Sequence, residues 1–329
     1  MTNPQNRATA IAHPNLAFIK YWGNRDDRLR IPVNSSVSVN LDGLQTQTTV
    51  EWGVDADSLI LNGNYETGRA LERVSAHLDV IRERLNLSMR ASVLSANNFP
   101  MGTGIASSAS SFAALTAAAV AAAGAQLSER ELTTLARRGS GSASRSVPSG
   151  FVQWNKGDSH ETSYADTIAA PDYWDIVDVI AVVSGSHKAV GSTEGHQSAS
   201  TSDLQAGRVA GADERLRICT EAILSRDFIA FAEVVELDSN LMHAVMMTSR
   251  PPLFYWLPAT LAIMEQVRRW RADGLQVCYT LDAGPNVHCI CVRKDADQVK
   301  DGLKLMSGVL NVLTAPPGGP TKLLDKPTE

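Results

Sequence analysis

The stretch "PMGTGIASSASSFAALTAAAVAAA", residues 100–123, places Pro100, Gly102 and Gly104, then Ser107 and Ser108, directly ahead of a run of alanines. Alanine is the best helix former, which predicts a helix over residues 106–123. The first N–H groups of a helix are unpaired and lie at the positive end of its dipole, so a helix start attracts anions. Glycines before it let the backbone approach a phosphate closely, and the two serines add hydroxyl donors or a metal contact. The stretch therefore reads as a phosphate cradle. It reads equally as a glycine-rich loop entering a close-packed alanine helix, and the local residues leave both readings open. The common P-loop is excluded, because its lysine is absent. The dinucleotide fingerprint fits poorly, since "GTGIAS" ends in serine and does not open the first βαβ unit of the chain.

Outward from this stretch, residues 47–52 and 58–61 read as strands joined by a short turn, with "NGNY" as a second turn signal. Leu71, Val74, Leu78, Ile81 and Leu85 recur at three and four, predicting a helix over 66–85. A strand is predicted at 89–95. Ser128 followed by Glu131 is a capping box opening the next helix. Strands are predicted at 151–154 and 175–183, helices at 212–224, 227–247 and 258–272, and a strand, tight loop and strand over 277–293. A helix at 296–306, a short strand at 309–313 and an irregular tail from residue 315 complete the reading. Strands and helices mix without regular βαβ alternation, which favours α+β over a doubly wound sheet. The change of pattern near residue 180 suggests two lobes, 1–180 and 181–329.

Composition narrows the function. The 329 residues are 44% hydrophobic, enough for a substantial core, and the net charge of -5 gives no broad basic surface for nucleic acid. The apolar run 112–125 is mostly alanine and falls short of the roughly 20 residues that span a bilayer. Cysteines 219, 278, 289 and 291 lack zinc spacing and read as buried thiols of a reducing compartment. A cytoplasmic protein is expected, without nucleic-acid or membrane partners.

Two further stretches bear on the phosphate question. "HPNLAFIKYWGNRDDRLRIPVNSSVSVNL" (13–41) sets Lys20, Tyr21 and Trp22 in a row, and "RRGSGSASRSVPSGFVQW" (137–154) sets Arg145 among hydroxyls. The second stretch alone could be a Ser/Gly linker, but a fixed cation among hydroxyls also suits carboxylate or phosphate recognition. Together with "YTLDAGPNVHCI" (279–290), the segments resemble, in order and at matching spacing, the mevalonate diphosphate decarboxylases of the GHMP kinase superfamily. The resemblance runs from about residue 8 to 293, and the tail adds nothing to it.

The resemblance implies a two-lobed α+β GHMP kinase fold with the active site in the cleft between lobes, and an ATP-dependent decarboxylation of a 5-phosphorylated mevalonate. It implies ATP with Mg2+ and a homodimer, and no motif identifies metal ligands. Asp282 matches the family's catalytic aspartate, Lys20 the lysine beside it, and Arg145 the arginine that holds the substrate carboxylate. Gly102, Gly104, Ser107 and Ser108 match the phosphate-binding loop. Tyr21, Asn24, Ser140, Ser142 and Ser192 fall at positions near the substrate's own phosphate. Asn15 and Trp22 are expected to support the site by packing and hydrogen bonding.

Two departures concern that phosphate end. Asn24 stands where the family commonly has lysine. In "AVGSTEGHQ", Gly191 replaces a serine and His196 a methionine, while Ser192 and Thr193 remain. These departures lean the reading towards mevalonate 5-phosphate giving isopentenyl phosphate. Mevalonate 5-diphosphate giving isopentenyl diphosphate is the alternative. Arg25 is a compensating cation, and His196 a second one at low pH; the plainer reading of His196 is a surface histidine at a helix start. A kinase acting at C3 without decarboxylation, and a nucleotide-binding regulatory protein on the same fold, are the competing classes. Arg145 beside Asp282 favours decarboxylation, because a pure kinase need not grip a carboxylate.

Overall fold

The computed structural model describes residues 6–99, 107–185 and 191–324, so Gly102 and Gly104 lie outside the described residues. Helices and strands mix as expected for an α+β chain. A six-stranded sheet runs in the order Lys322–Leu324, Arg7–Ala12, Thr46–Val54, Arg90–Asn97, Ser58–Leu61 and Asn64–Glu66. The alanine helix, Ser107–Ala122, packs on it and is buried on nearly all sides. Alanine permits this, since its methyl lets the helix backbone close on the strands. Trp52 Nε1 donates to Ala119 O at 2.9 Å across that contact. Helix Glu129–Gly139 follows, opened by the Ser128–Glu131 capping box.

A second sheet has the order Ala165–Ala169, Phe151–Trp154, Ser36–Asn40, Asn15–Ile19. A third has the order Val277–Thr280, Val287–Val292, Ile176–Val182, Asn311–Ala315. Helices Ala212–Ser225 and Phe228–Thr248 share one core with both sheets, formed by Leu16, Phe18, Phe151, Ile180, Phe231 and Ile290 among others. The Phe18 and Phe231 rings meet edge to face at 4.9 Å. Helices Pro258–Ala272 and Ala296–Lys304 belong to a separate core that includes Val179, Cys289 and Cys291. The shared core brings the end of Asn15–Ile19 up to the loop after Val277–Thr280.

The strands expected at 47–52 and 58–61 form, as Thr46–Val54 and Ser58–Leu61 with a short turn between them, and one expectation, an irregular tail, is overturned. Strands Thr46–Val54 and Ser58–Leu61 are not neighbours: Arg90–Asn97 lies between them and pairs in parallel with Ser58–Leu61. A parallel pair needs a crossover, and helix Arg69–Leu85 supplies it. The turn expected at "NGNY" forms at Asn62 and Gly63, whose positive φ values of 50° and 81° suit a hairpin to Asn64–Glu66. The tail is not irregular throughout. Lys322–Leu324 pairs antiparallel with Thr9–Ile11 and covers the edge of the first sheet.

Candidate active site

Lys20 follows a strand whose five residues are all buried, and its ammonium has only 1% exposure. Such a charge persists only with a partner. Lys20 Nζ donates to Asp282 Oδ1 at 2.8 Å. Lys20 is therefore not an edge-strand lysine with its head in solvent. Burial lowers the Lys20 pKa against the opposing pull of Asp282. At Asp282 burial favours the neutral acid, but Lys20, His288 and Arg145 together outweigh it and hold the carboxyl below its ordinary range. Asp282 sits in the loop after Val277–Thr280, where its carbonyl accepts the Gly284 N–H at 2.7 Å. Asn286 of the same loop accepts from Val183 N at 2.8 Å, tying the loop to the neighbouring strand.

The backbone at Lys20 is held by polar side chains, two of them charged and from the second half of the chain. Asp238 accepts the Lys20 N–H at 2.6 Å, Arg208 donates to the Lys20 carbonyl at 2.7 Å, and Asn34 does so at 3.0 Å. Arg215 bridges Asp238 at 2.7 Å and the Arg208 carbonyl at 2.6 Å. Gln205 donates to Trp22 O at 2.8 Å. Sequence reasoning missed all of these residues. Their signal was faint: Gln205, Arg208, Arg215 and Asp238 are polar residues on helices, and Asn34 lies between two short strands.

Arg145 belongs to the short helix Gly141–Ser146 and is 2% exposed. It donates to Ser36 Oγ at 2.6 Å and to Asn15 Oδ1 at 3.2 Å, so it is no surface salt bridge. Asn15 in turn donates to Ser142 O at 3.0 Å and Ser146 Oγ at 2.8 Å. The Arg145 Nε has no hydrogen-bond partner among the described residues. Burial brings the guanidinium pKa down to about 10, with Asp282 opposing, so the group stays cationic near neutrality. A chain of hydroxyls links this turn to the alanine helix: Ser108 Oγ lies 3.2 Å from Ser140 Oγ, which lies 3.4 Å from Ser142 Oγ.

Tyr21 packs on Trp154 at 4.7 Å and donates to Asn24 Oδ1 at 2.5 Å. A Cβ on Gly141 would meet the Tyr21 ring at 2.5 Å, which accounts for a glycine between Ser140 and Ser142. The Asn24 amide donates to Asp27 at 2.8 Å. Arg25 is engaged by Asp158 at 3.1 Å and Gly157 O at 2.9 Å. His196 is not a surface histidine. Its ring stacks on Tyr21 at 4.0 Å and lies 4.6 Å from Trp22, and its Nδ1 accepts the Gly23 N–H at 3.0 Å. That bond needs an unprotonated Nδ1, so it opposes the cationic role expected at low pH. Ser192 begins helix Ser192–Ser198.

A cavity of about 370 Å³ lies at the start of the alanine helix. Leu59, Leu61, Val74, Val93, Phe112 and Leu115 give it apolar walls. Ser107, Ser108, Ser111 and Arg73 supply the polar groups. Arg73 lies 5.2 Å over the Phe112 ring, among the like charges of Arg30 and Arg69. Aliphatic walls with one arginine and hydroxyls at a helix start are the surroundings that a nucleotide can use. Among the described residues no three His, Cys, Asp or Glu side chains gather as a metal cage. No helix among them is long and apolar enough to cross a membrane.

Residues 12–165 match the family model of the diphosphomevalonate decarboxylase-like N-terminal domain, and residues 178–314 that of the mevalonate 5-diphosphate decarboxylase C-terminal domain. The chain belongs to this decarboxylase family. As a member it is an ATP-dependent carboxy-lyase with the GHMP kinase fold. It is 39% identical over 326 residues to the diphosphomevalonate decarboxylase mvd1 of Aspergillus fumigatus, covering 92% of this chain and 81% of the relative. It is 33% identical over 324 residues to the phosphomevalonate decarboxylase of Haloferax volcanii, covering 97% and 98%. Among solved structures, mevalonate diphosphate decarboxylase from Staphylococcus aureus superposes with TM-score 0.92 at 35% identity, covering 97% of this chain and 98% of that one. MDDEF in complex with MVAPP, AMPPCP and magnesium gives TM-score 0.92 at 36% identity, covering 97% and 99%.

Proposed function

We propose that this family member decarboxylates mevalonate 5-phosphate, with ATP, to isopentenyl phosphate. Asp282 faces the C3 hydroxyl. Lys20 holds that carboxylate ionised and in place, which makes it a weak base but a good orienting acceptor. The hydroxyl proton passes to Asp282 as the C3 oxygen gains the phosphoryl group. Arg145, with Nε unused and its other nitrogens steadied by Ser36 and Asn15, takes the substrate carboxylate. It keeps that group aligned while the C3 phosphate leaves and carbon dioxide is released. Ser107 and Ser108 receive the ATP phosphates at the helix start, the cavity below takes the base, and Gly102 and Gly104 precede them in the chain. Magnesium, when bound, neutralises phosphate charge, and is held chiefly by the phosphates with the Ser107 hydroxyl at hand. Tyr21, Ser140, Ser142 and Ser192 surround the 5-phosphate.

The choice of one phosphate rests on Asn24. It is neutral, and its amide is already shared between Tyr21 and Asp27. Of the candidate compensating cations, Arg25 is engaged by Asp158 and Gly157, and His196 accepts a hydrogen bond at Nδ1. A second phosphate would lose solvent here without a free cation from these residues. The relatives named above include both phosphomevalonate and diphosphomevalonate decarboxylases. The test is kcat/KM for both substrates on one preparation, with product analysis. A higher value for the monophosphate is expected, and Asn24→Lys should shift the ratio about tenfold towards the diphosphate. Preference of the parent enzyme for the diphosphate would overturn the reading.

The same proposal takes the chain as two lobes dividing near residue 180, supported by the third sheet, which is built wholly from residues 176–315. It takes the protein as a cytoplasmic homodimer without nucleic-acid or membrane partners. Four free, buried cysteines support the compartment. Exposed Ile229 and Leu237 on helix Phe228–Thr248 offer an apolar face to a second copy.

A further inference from the structure

The third sheet carries a second buried ion pair that the reading above does not use. His288 Nδ1 lies 2.7 Å from Asp178 Oδ2, and the two residues are 1% and 3% exposed. Sheet register places them. His288 stands opposite Ile180 on one side and opposite Thr280 on the other. Asp178 is two residues before Ile180, and Asp282 is two residues beyond Thr280. Side chains alternate along a strand, so Asp178, His288 and Thr280 share one face, and Asp282 follows in the loop at its end, close enough for His288 to act on its charge.

We infer that Asp178 and His288 are positioning residues whose charge keeps Asp282 ionised, His288 being the cation and Asp178 the anion that retains it. The inference rests on Asp282 being the reacting carboxylate. A buried ion pair contributes little net stability compared with apolar side chains of the same size, so a charge role accounts better for its place beside Asp282.

The charged surroundings agree with this assignment. Lys20 and Arg145 reach Asp282 from the other half of the chain. On helix Phe228–Thr248, Glu236 is taken by Arg271, Asp238 by Arg215, and His243 is neutral, its pKa brought down to about 3 by burial and by Lys20. On helix Ala212–Ser225 stand Arg215 and Cys219. The strands add Cys278, Cys289 and Cys291, and burial raises the pKa of all four thiols, leaving them uncharged near neutrality. At His288 burial opposes the proton, but Asp178 and Asp282 prevail and raise its pKa, so it is the cation this sheet face offers.

The sign follows. A cation near Asp282 lowers its pKa, so losing the cation raises it. The acid limb of the kcat–pH profile should then move to higher pH. The experiment measures that limb for the parent, Asp178→Asn, His288→Gln and the double variant, each confirmed folded by circular dichroism. Both single variants are expected to shift the limb up by about one pH unit. The double variant should shift it no further than either, because one cation is lost in every case. An unmoved limb in folded variants overturns the inference. Should neither single variant fold, the parent decides by NMR titration of the histidine ring protons: a buried imidazolium persisting through neutrality supports the pair, and a spectrum of neutral buried rings overturns it. Asp282→Asn is run alongside. If it retains parental kcat, the assignment of Asp282 fails. If it is inactive while the limb of the other variants stays put, only the present inference fails.

Discussion

The two halves of the site are built on opposite plans. Around Lys20, Asp282 and Arg145, buried polar groups are tied from several elements at once: Asp238, Arg208 and Asn34 hold the Lys20 backbone, and Ser36 and Asn15 hold Arg145. The cavity at the alanine helix has mainly aliphatic walls with hydroxyls at its rim. Phosphoryl transfer and loss of a carboxylate need charges fixed within fractions of an ångström. Holding a base needs chiefly a shaped apolar slot. A substitution in the first region should therefore disturb the chemical step, and one in the second only its own contact.

The sharpest way to break the comparison is Asp282→Asn. The amide keeps the shape but removes the charge that faces Lys20 and, on the proposed mechanism, the hydroxyl. We expect kcat to fall by roughly 10²–10⁴-fold with circular dichroism unchanged. A folded variant with near-parental kcat would show that the network serves structure alone.

Arg145→Lys is the next test. It keeps a positive charge but loses the planar fork and the bonds that steady it. A charge-assisted hydrogen bond is worth roughly 1.5–3 kcal/mol, so kcat/KM for carbon dioxide release should drop about 10- to 100-fold. Release of ADP should fall less on the proposed mechanism, in which Arg145 grips the carboxylate after phosphoryl transfer. Equal loss of both products would reassign Arg145 to the first step.

How much of this was legible in sequence follows the same division. Helices announced themselves through periodicity and caps: Ser128 with Glu131, and the residues 258–272, fell where the pattern placed them. Strands Asn15–Ile19 and Ser36–Asn40 did not, because neither alternates when both faces are buried. The order of the first sheet could not be read for a related reason: local turn signals give no account of which strand inserts between two others. At the site, the residues of short motifs (Lys20, Arg145, Asp282) were found and do come together. Arg208, Asp238 and Asn34 were invisible, since the Lys20 backbone they serve lies 188, 218 and 14 residues away in the chain, and Arg215 because its partner Asp238 lies 23 residues on; all become neighbours only by folding. His196 was misjudged because nothing in "STEGHQ" hints at an aromatic slot between Tyr21 and Trp22.

The cavity side gives smaller expected effects. Ser108→Ala removes a hydroxyl that lies 3.2 Å from Ser140 Oγ and lines the cavity. We expect KM for ATP to rise about tenfold, with kcat for bound substrates largely kept. A large loss of kcat with unchanged nucleotide affinity would move Ser108 into the reacting centre and erase the distinction between the two regions.

The smallest effect at neutral pH concerns stability under the cavity. His77 packs edge-on to Phe112 at 5.2 Å, and its Nε2 lies 2.8 Å from Thr116 Oγ1. Thr116 donates its own proton to Phe112 O at 2.6 Å, so Nε2–H is the donor to Thr116 and Nδ1, which has no hydrogen-bond partner among the described residues, is unprotonated. Burial, then Arg138 and Arg30, bring the His77 pKa down to about 3, against about 6.5 in an unfolded chain. Between those values the unfolded state binds the proton and the folded state does not, so stability falls as pH falls. From about pH 7 to about pH 5.5 this one group should cost roughly 1 kcal/mol. His77→Gln keeps a donor for Thr116 and cannot take up the proton. Urea unfolding at both pH values should therefore show a smaller acid loss in His77→Gln than in the parent, with parental activity at neutral pH. An identical acid loss in the two proteins would mean that His77 is protonated in the folded state, and that this side of the molecule is wetter than its apolar walls imply.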